Sequence, residues 1–179
     1  MELCKNAYTP KVIEQHPDPR LSFFKSCQDS NLLPLNILQK ISDKSLNLKG
    51  YKLNIDICKA IREAMRLFPE LIDSITLENN GIKDEIDVTG FVENSISIFL
   101  QASLYQTQLK KFVCINNALT QKCFYQLTKV LERKSPNNLQ ELRLSNCKLS
   151  RNISEGILET LKEECQLKKL SLINANISF

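Results

Sequence analysis

The sequence predicts an α/β solenoid, in which short parallel strands form one curved sheet and helices cover its convex side. Three observations predict this fold class. An eleven-residue pattern of apolar residues recurs along the 179-residue chain. Its copies are 29, 37, 30 and 28 residues apart. The segments between the copies carry apolar residues at helical spacing. The overall composition, 42% hydrophobic and 25% charged, is typical of a chain that buries a core.

The repeated pattern has apolar residues at positions one, four, six and eleven and Asn or Cys at position nine. Full copies begin at Ile72, Leu109 and Leu139, and degenerate copies begin at Asp43 and Leu167. The alternating apolar residues predict a strand with one buried face. We expect the Asn or Cys side chain to turn inward and donate to buried backbone carbonyls. Cys147 can do this only weakly, and Ala175 in the last copy cannot do it.

Between the strands, apolar residues recur at helical spacing and predict the inner faces of helices on the convex side. The four stripes are Ile57, Ile61, Ala64 and Phe68; Ile96, Leu100 and Leu104; Cys123, Leu127 and Leu131; and Ile153, Ile157, Leu161 and Cys165. The longest spacing contains residues 81–90, which we expect to form a protruding acidic loop. Asp84, Glu85 and Asp87 lack the closing Glu of a calcium loop, so solvated surface is the better interpretation.

The two ends of the chain differ. Pro17 and Pro19 predict that residues 1–19 form an extended arm. Apolar spacing over residues 20–44, with Pro34 suited to the first turn of a second helix, predicts an N-terminal helical cap. At the other end the pattern predicts an uncovered strand edge, marked by Leu172, Ile177 and Phe179. We expect a partner or further chain to cover it, and fraying of the end is the less favoured alternative.

Few residues in the sequence can support catalysis or metal binding. The seven Cys contain no C-x-x-C pair and His16 is the single imidazole, so we predict no metal site, no cofactor and no small-molecule substrate. A catalytic triad would have to use His16, which lies in a Pro-flanked arm, so we predict that the chain is not an enzyme. The odd Cys count and the lack of a secretory signal indicate a reducing intracellular compartment. No apolar run reaches the roughly 18 residues of a membrane span.

The repeated pattern resembles that of leucine-rich-repeat proteins of the ribonuclease-inhibitor-like class, over about residues 44–179. The resemblance implies a leucine-rich-repeat domain of about five repeats over residues 45–179. Members of this class are chiefly protein-binding scaffolds, with some GTPase activators and many centrosomal and ciliary components. The segment from Phe24 and Cys27 through Pro34 to Leu46 and Leu48 is similar to the entry segment of ciliary and centrosomal members. The resemblance therefore implies a cytoplasmic, cytoskeletal or ciliary protein.

In such a fold the strand residues between the apolar slots form the concave face. Residues 101–179 hold 12 Lys and Arg against 6 Asp and Glu, so this half of the face is basic. We predict a partner-binding surface in which basic side chains lie beside exposed apolar ones. Its residues are Lys110, Lys111, Val113, Ile115, Arg143, Lys168, Lys169 and Ile173.

The leading hypothesis is a non-catalytic scaffold that is a structural subunit of a multi-protein assembly. The alternatives are a regulator of a GTPase or other enzyme, and nucleic-acid binding through the basic residues. The basic strip lacks the interleaved aromatic residues of a single-strand platform, which argues against nucleic acid.

Overall fold

The computed structural model describes residues 18–33, 37, 41–51, 53–80, 84–86, 92–119, 121–131, 138–147, 149, 151–162 and 166–175. The predictions for residues 1–17, which include His16, and for Ile177 and Phe179 lie outside these ranges. Within them the chain forms five helices and eight strands. The helices are α1 (Pro19–Asp29), α2 (Ile55–Leu67), α3 (Ser95–Ser103), α4 (Gln121–Leu131) and α5 (Arg151–Lys162). The strands are β1 (Ile41–Ser42), β2 (Ser45–Lys49), β3 (Ser74–Glu78), β4 (Asp84–Ile86), β5 (Val92–Asn94), β6 (Lys111–Ile115), β7 (Glu141–Ser145) and β8 (Lys169–Ile173).

The main sheet has six strands in the order β1-β2-β3-β6-β7-β8. The five strands from β2 to β8 in this order run parallel, and their registers keep equal positions of the sequence pattern side by side. The fourth pattern position, for example, forms one line across the sheet through Leu46, Ile75, Phe112, Leu142 and Leu170. The predicted α/β architecture with a parallel sheet is therefore confirmed, and its arrangement is compatible with a solenoid-like arc.

The core lies between this sheet and the row of helices. The inward residues of β2, β3, β6 and β7 are almost completely buried, as the alternating pattern predicts. The helical stripes supply the other side of the core through Ile57, Ile61, Ile96, Leu127 and Ile157, which are all buried. Each strand–helix unit therefore buries its apolar face against its neighbours, and the chain forms one continuous core.

Helix α1 begins at Pro19, the last residue of the predicted extended arm and one residue before the predicted start of the cap. A proline is tolerated in the first turn because the helix needs no N–H from it there. Asp18 caps the helix, and its carboxylate accepts a hydrogen bond from the backbone N–H of Arg20 at 2.8 Å. The helix buries Leu21, Phe23 and Cys27, and it packs against α2.

Residues 41–44 differ from the helical segment that the sequence predicts there. Ile41 and Ser42 instead form a strand that pairs antiparallel with β2. The two connecting residues, Asp43 and Lys44, have φ values of +49° and +59°. Two left-handed residues in a row are typical of the tight hairpin turn whose twist matches that of paired strands. This turn chemistry overrides the helical spacing of the preceding apolar residues.

The insertion after β3 also contains regular structure that the sequence analysis expected to be loop. Strands β4 and β5 pair antiparallel in a separate two-stranded ribbon. Their register places Ile86 opposite Val92, and β-branched residues favour strand pairing. The described part of the inserted segment, Asp84–Ile86, therefore pairs with β5 in a sheet separate from the main one.

Candidate functional site

The parallel register arranges the concave face into rows of residues that run across the five parallel strands. The first row is Ser45, Ser74, Lys111, Glu141 and Lys169; the middle row is Asn47, Thr76, Val113, Arg143 and Ser171; and the last row is Lys49, Glu78, Ile115, Ser145 and Ile173. All eight residues predicted for the partner-binding surface lie on the three later strands or directly before one of them. Lys110 directly precedes β6 and Lys168 directly precedes β8, so both border the first row.

The first row is not a bare basic stripe, because Glu141 lies between two lysines. Its Oε1 is 3.4 Å from Lys111 Nζ and 3.3 Å from Lys169 Nζ. Desolvation alone would raise the pKa of Glu141. The hydrogen bonds and positive charges of Lys169 and Lys111 outweigh that effect and hold the pKa below its ordinary value. The row therefore alternates in charge, and its net positive charge is smaller than the lysines alone suggest.

The strongest cationic feature of the middle row is Arg143, whose side chain is exposed. Its Nε donates a hydrogen bond to Ser145 Oγ at 3.0 Å, which fixes the direction of the guanidinium. Within the described residues no carboxylate oxygen lies within 4.0 Å of it. By contrast, Lys49 and Glu78 of the last row form an ion pair of 2.8 Å. Arg143 is therefore oriented by the protein, and its remaining donors belong to an exposed guanidinium.

The apolar part of the predicted surface is only partly exposed. Ile173 is 43% exposed and Ile115 is half-buried. Val113 is only 6% exposed, so the expectation that it is an exposed contact is wrong. Its register neighbours Thr76 and Arg143 lie on both sides of this short side chain and shield it from solvent. The exposed apolar area of the face therefore lies near the carboxyl ends of the strands.

Lys110 and Lys168 are exposed, as the prediction requires. Their positions are fixed by the main chain: Lys110 N donates to Asp73 O and Lys168 N donates to Gln140 O, each at 2.8 Å. Together with Lys169 they place three positive charges along the amino-terminal edge of the concave face. This edge of the face is therefore basic, whereas the exposed apolar area lies on the side of Ile115 and Ile173.

Strand β8 is the last strand of the described sheet, and its apolar residues are less covered than those of β7. Leu170 and Leu172 are half-buried, whereas Leu142 and Leu144 of β7 are almost fully buried. Leu172, one of the three residues predicted to mark an uncovered edge, is thus less covered than its β7 counterpart Leu144. The other two predicted residues, Ile177 and Phe179, lie outside the described ranges.

A column of left-handed residues, which the sequence analysis did not single out, follows the strands. Asn79, Asn116, Asn146 and Asn174 have φ between +49° and +53°, and Gly50 occupies the equivalent position after β2 with φ of +72°. Asparagine is among the few residues that tolerate this conformation. The recurring Asn directly before pattern position nine is the sequence signal that would have identified this asparagine column.

The inward residues of pattern position nine form a second, buried ladder, as predicted. Asn117 Nδ2 donates to the carbonyls of Leu77 and Ile115 at 3.1 and 2.9 Å. Asn80 Nδ2 donates to Leu48 O at 3.3 Å, and Cys147 Sγ lies 3.3 Å from Cys114 O. These contacts bind successive units together.

Two features of the described interior bear on its chemistry: a buried thiol pair, Cys114 and Cys147, and a small cavity. A hydrogen bond with Cys147 and burial both raise the pKa of Cys114 well above its ordinary value, so this thiol stays neutral. A cavity between α3, α4 and the sheet has a volume of about 10 Å³, which is enough for roughly one water molecule. In the described ranges no three His, Cys, Asp or Glu side chains form a metal-binding group. None of the described helices is long and apolar enough to cross a bilayer.

No protein-family model matches the chain, and a search of curated proteins finds no match. Function is therefore inferred from the fold and from the surface of the sheet alone.

Proposed function

We propose that the chain is a leucine-rich-repeat protein of the ribonuclease-inhibitor-like class and acts as a non-catalytic protein-interaction module. Two features support the repeat assignment: the in-register parallel strands and the buried ladder of Asn80, Asn117 and Cys147. Helix α1, which packs on α2 and buries Leu21 and Phe23, supports the proposal that residues 20–44 cap the first repeat.

The observation that carries the proposed function is the environment of Arg143. It is exposed, its Nε is held by Ser145, and it lies beside a row that contains Ile115 and Ile173. An oriented arginine beside partly exposed isoleucines is typical of the anchors of protein interfaces. The concave face therefore offers directed hydrogen bonds and apolar contact area to a protein partner.

The proposed setting is a structural subunit of an intracellular, cytoskeletal or ciliary assembly. Its cellular location rests on the resemblance of the entry segment to ciliary and centrosomal repeat proteins. The buried thiols of Cys27, Cys114 and Cys147, none of which forms a disulfide, are also consistent with a reducing compartment.

Charge reversal on the concave face tests this function. The double variant Arg143→Glu, Lys110→Glu reverses two exposed cations of the face. The matched control Lys25→Glu, Arg66→Glu makes the same change of charge on α1 and α2. Native cross-linking in extracts of the source cells, followed by mass spectrometry, identifies the neighbours of each variant. The proposal requires that the concave-face variant loses neighbours that the control keeps. Equal sets of neighbours with folded protein in both cases would refute it.

Nucleic-acid binding is the second candidate, and the exposed Lys110, Lys168 and Lys169 favour it. Glu141 within the first row disfavours it, because a carboxylate there repels phosphates. Anisotropy titration with a labelled polynucleotide at two salt concentrations distinguishes the two functions. We expect no binding even at low salt. Binding that weakens steeply with added salt would favour the second candidate.

A further inference from the structure

The outer edge of β8 has a defined hydrogen-bonding pattern. Lys169 N donates to Gln140 O, and Ile173 O accepts from Asn146 N at 2.8 Å, so both residues bond toward β7. Because bonding direction alternates along a parallel strand, the backbone groups of Leu170 and Leu172 point away from β7. In the described part of the chain no strand lies beyond them. This edge is therefore a template for one further strand.

The asparagine column determines the direction in which a further strand can pair with this edge. Asn116 N donates to Ser145 O at 2.9 Å, and Asn146 N donates in the same way to Ile173 O. The side chains follow the same order, because Asn146 Nδ2 donates to Asn116 Oδ1 and Asn174 Nδ2 donates to Asn146 Oδ1. Asn174 is the last residue of the described column, and we expect the same geometry to direct its backbone N–H and its Oδ1 toward the next position. A strand that continues the column must run parallel and supply an Asn after its last residue.

The charges of the first row specify the start of such a strand. The order Lys111, Glu141, Lys169 alternates, and each neighbouring pair forms an ion pair. Lys169 has a carboxylate partner on the β7 side, its side chain is 67% exposed, and Lys168 beside it is also exposed. A strand on the other side of Lys169 would continue the alternation with Asp or Glu. The half-buried Leu170 and Leu172 require apolar residues next to them.

We infer that the outer edge of β8 binds an extended segment of a partner protein that pairs in parallel and carries the pattern acidic, apolar, variable, apolar, variable, Asn. This inference rests on the proposed interaction function and names the partner's chemistry at one surface. Charge complementarity at Lys168 and Lys169 selects an acidic segment, and the column selects its direction.

A second copy of the chain does not meet these requirements. A symmetric pairing of two β8 edges would be antiparallel, because the two strands would be related by a twofold axis. An antiparallel strand cannot continue the parallel asparagine column. The opposite edge of the main sheet is also occupied at its start, because β1 pairs with β2 there. The partner is therefore a different segment with the stated pattern.

Strand β7 itself has this pattern, from Glu141 through Leu142 and Leu144 to Asn146. A fluorescein-labelled peptide with the sequence of residues 140–146 is thus a suitable probe for the full chain. We expect saturable binding by fluorescence anisotropy. Replacing the peptide's acidic residue (Glu141→Lys) should weaken binding roughly tenfold, because it faces Lys169 with a like charge. The reversed-sequence peptide should not bind. Absence of binding, or equal binding of the reversed peptide, would overturn the inference.

Two protein variants test the edge directly. Leu172→Pro removes one outward N–H without removing a bond to β7, and circular dichroism checks that the sheet persists. We expect it to abolish peptide binding. The Lys169→Glu chain should likewise fail to bind the natural-sequence peptide, but it should bind the peptide that carries Glu141→Lys. A Lys169→Glu chain that does not recover with the swapped peptide would contradict the charge complementarity. A dimer in sedimentation velocity that Leu172→Pro dissociates would assign the edge to a second copy and overturn the inference.

The Arg143→Glu, Lys110→Glu variant separates this inference from the proposed function. Neither residue lies on β8, so we expect this variant to bind the peptide as the natural chain does. If the peptide fails to bind while the concave-face variant still loses its neighbours in cells, only the edge inference fails. If the peptide binds while the concave-face variant keeps all neighbours, the concave-face function fails.

Discussion

The backbone N–H of Asn80 donates to the side-chain oxygen of Asn117 at 3.0 Å, although the two residues are 37 positions apart in the chain. Asn117 thus connects two strand–helix units both as acceptor and as donor, since its Nδ2 also donates to Leu77 O of the preceding unit. The same Nδ2 donates to Ile115 O within its own unit. Both asparagines are buried, so water cannot replace these bonds. The ladder is therefore a structural requirement of the stacked strands, and their stacking creates the concave face.

Replacing Asn117 by Ala should destabilise the chain by about 3 kcal/mol, because several buried backbone groups would lose their partners. Urea unfolding followed by circular dichroism measures this loss. Asn47→Ala is the matched control, since Asn47 is exposed and, among the described residues, its side chain bonds only to Ser45 Oγ at 3.3 Å. If both variants lost the same free energy of unfolding, the buried ladder would contribute no more to stability than an exposed asparagine does.

Replacing Cys147 by Asn should stabilise the chain by about 1 kcal/mol. The Cys147 thiol is a weak donor to Cys114 O and Ser145 O, and the backbone of Asn117 donates to its sulfur. An amide of similar volume would form stronger bonds to the same partners. Thermal unfolding should show a higher Tm, while Cys147→Ala should lower it. A lower Tm for Cys147→Asn would mean that the space filled by the Cys147 side chain does not accommodate an amide.

Asn79 tests the conformational role of the asparagine column. Its φ is +52°, and within the described part of the chain its side chain has a single long contact, from Nδ2 to Glu78 Oε1 at 3.5 Å. Asn79→Ala should cost about 1 kcal/mol, because a left-handed backbone disfavours a β-carbon without a local hydrogen bond. Asn79→Gly should change the free energy of unfolding by less than about half of that. If both variants lost the same amount in chemical unfolding, the side chain rather than the backbone conformation would be decisive.

Glu141 should make stability depend on pH in the acidic range. Its pKa in the folded chain is lowered below the ordinary 4.5 by Lys169 and Lys111, even though desolvation opposes them. Its contribution is therefore fully present above the pKa of the unfolded chain and is lost as the pH falls through the folded-state value. We expect the stability difference between the natural chain and Glu141→Gln to shrink below about pH 4. A difference that grows on acidification would contradict the two ion pairs.

Much of the architecture follows from the apolar pattern, because strand and helix periods differ and both are visible in the sequence. Leu142 and Leu144 are buried where the pattern places them, and so is Ile157 in α5. The antiparallel strand β1 was not predicted, because the left-handed turn at Asp43 and Lys44 contains no glycine.

The site was less predictable, because it depends on cross-strand register. Glu141 pairs with both Lys111 and Lys169, and the three residues lie on three different strands. No local sequence pattern predicts these two ion pairs. The burial of Val113 likewise results from its neighbours on β3 and β7. The positions of Arg143 and Ile173 on the concave face, by contrast, follow from the strand alternation alone.

Lysine reactivity in the native assembly tests the binding surface most directly. The free chain and the chain in its cellular assembly would be acetylated briefly, and mass spectrometry would quantify each site. We predict that Lys110 and Lys168 become protected in the assembly, while Lys25 on α1 stays as reactive as in the free chain. Protection of Lys25 with unchanged Lys110 and Lys168 would place the partner on the helices and contradict the concave-face function.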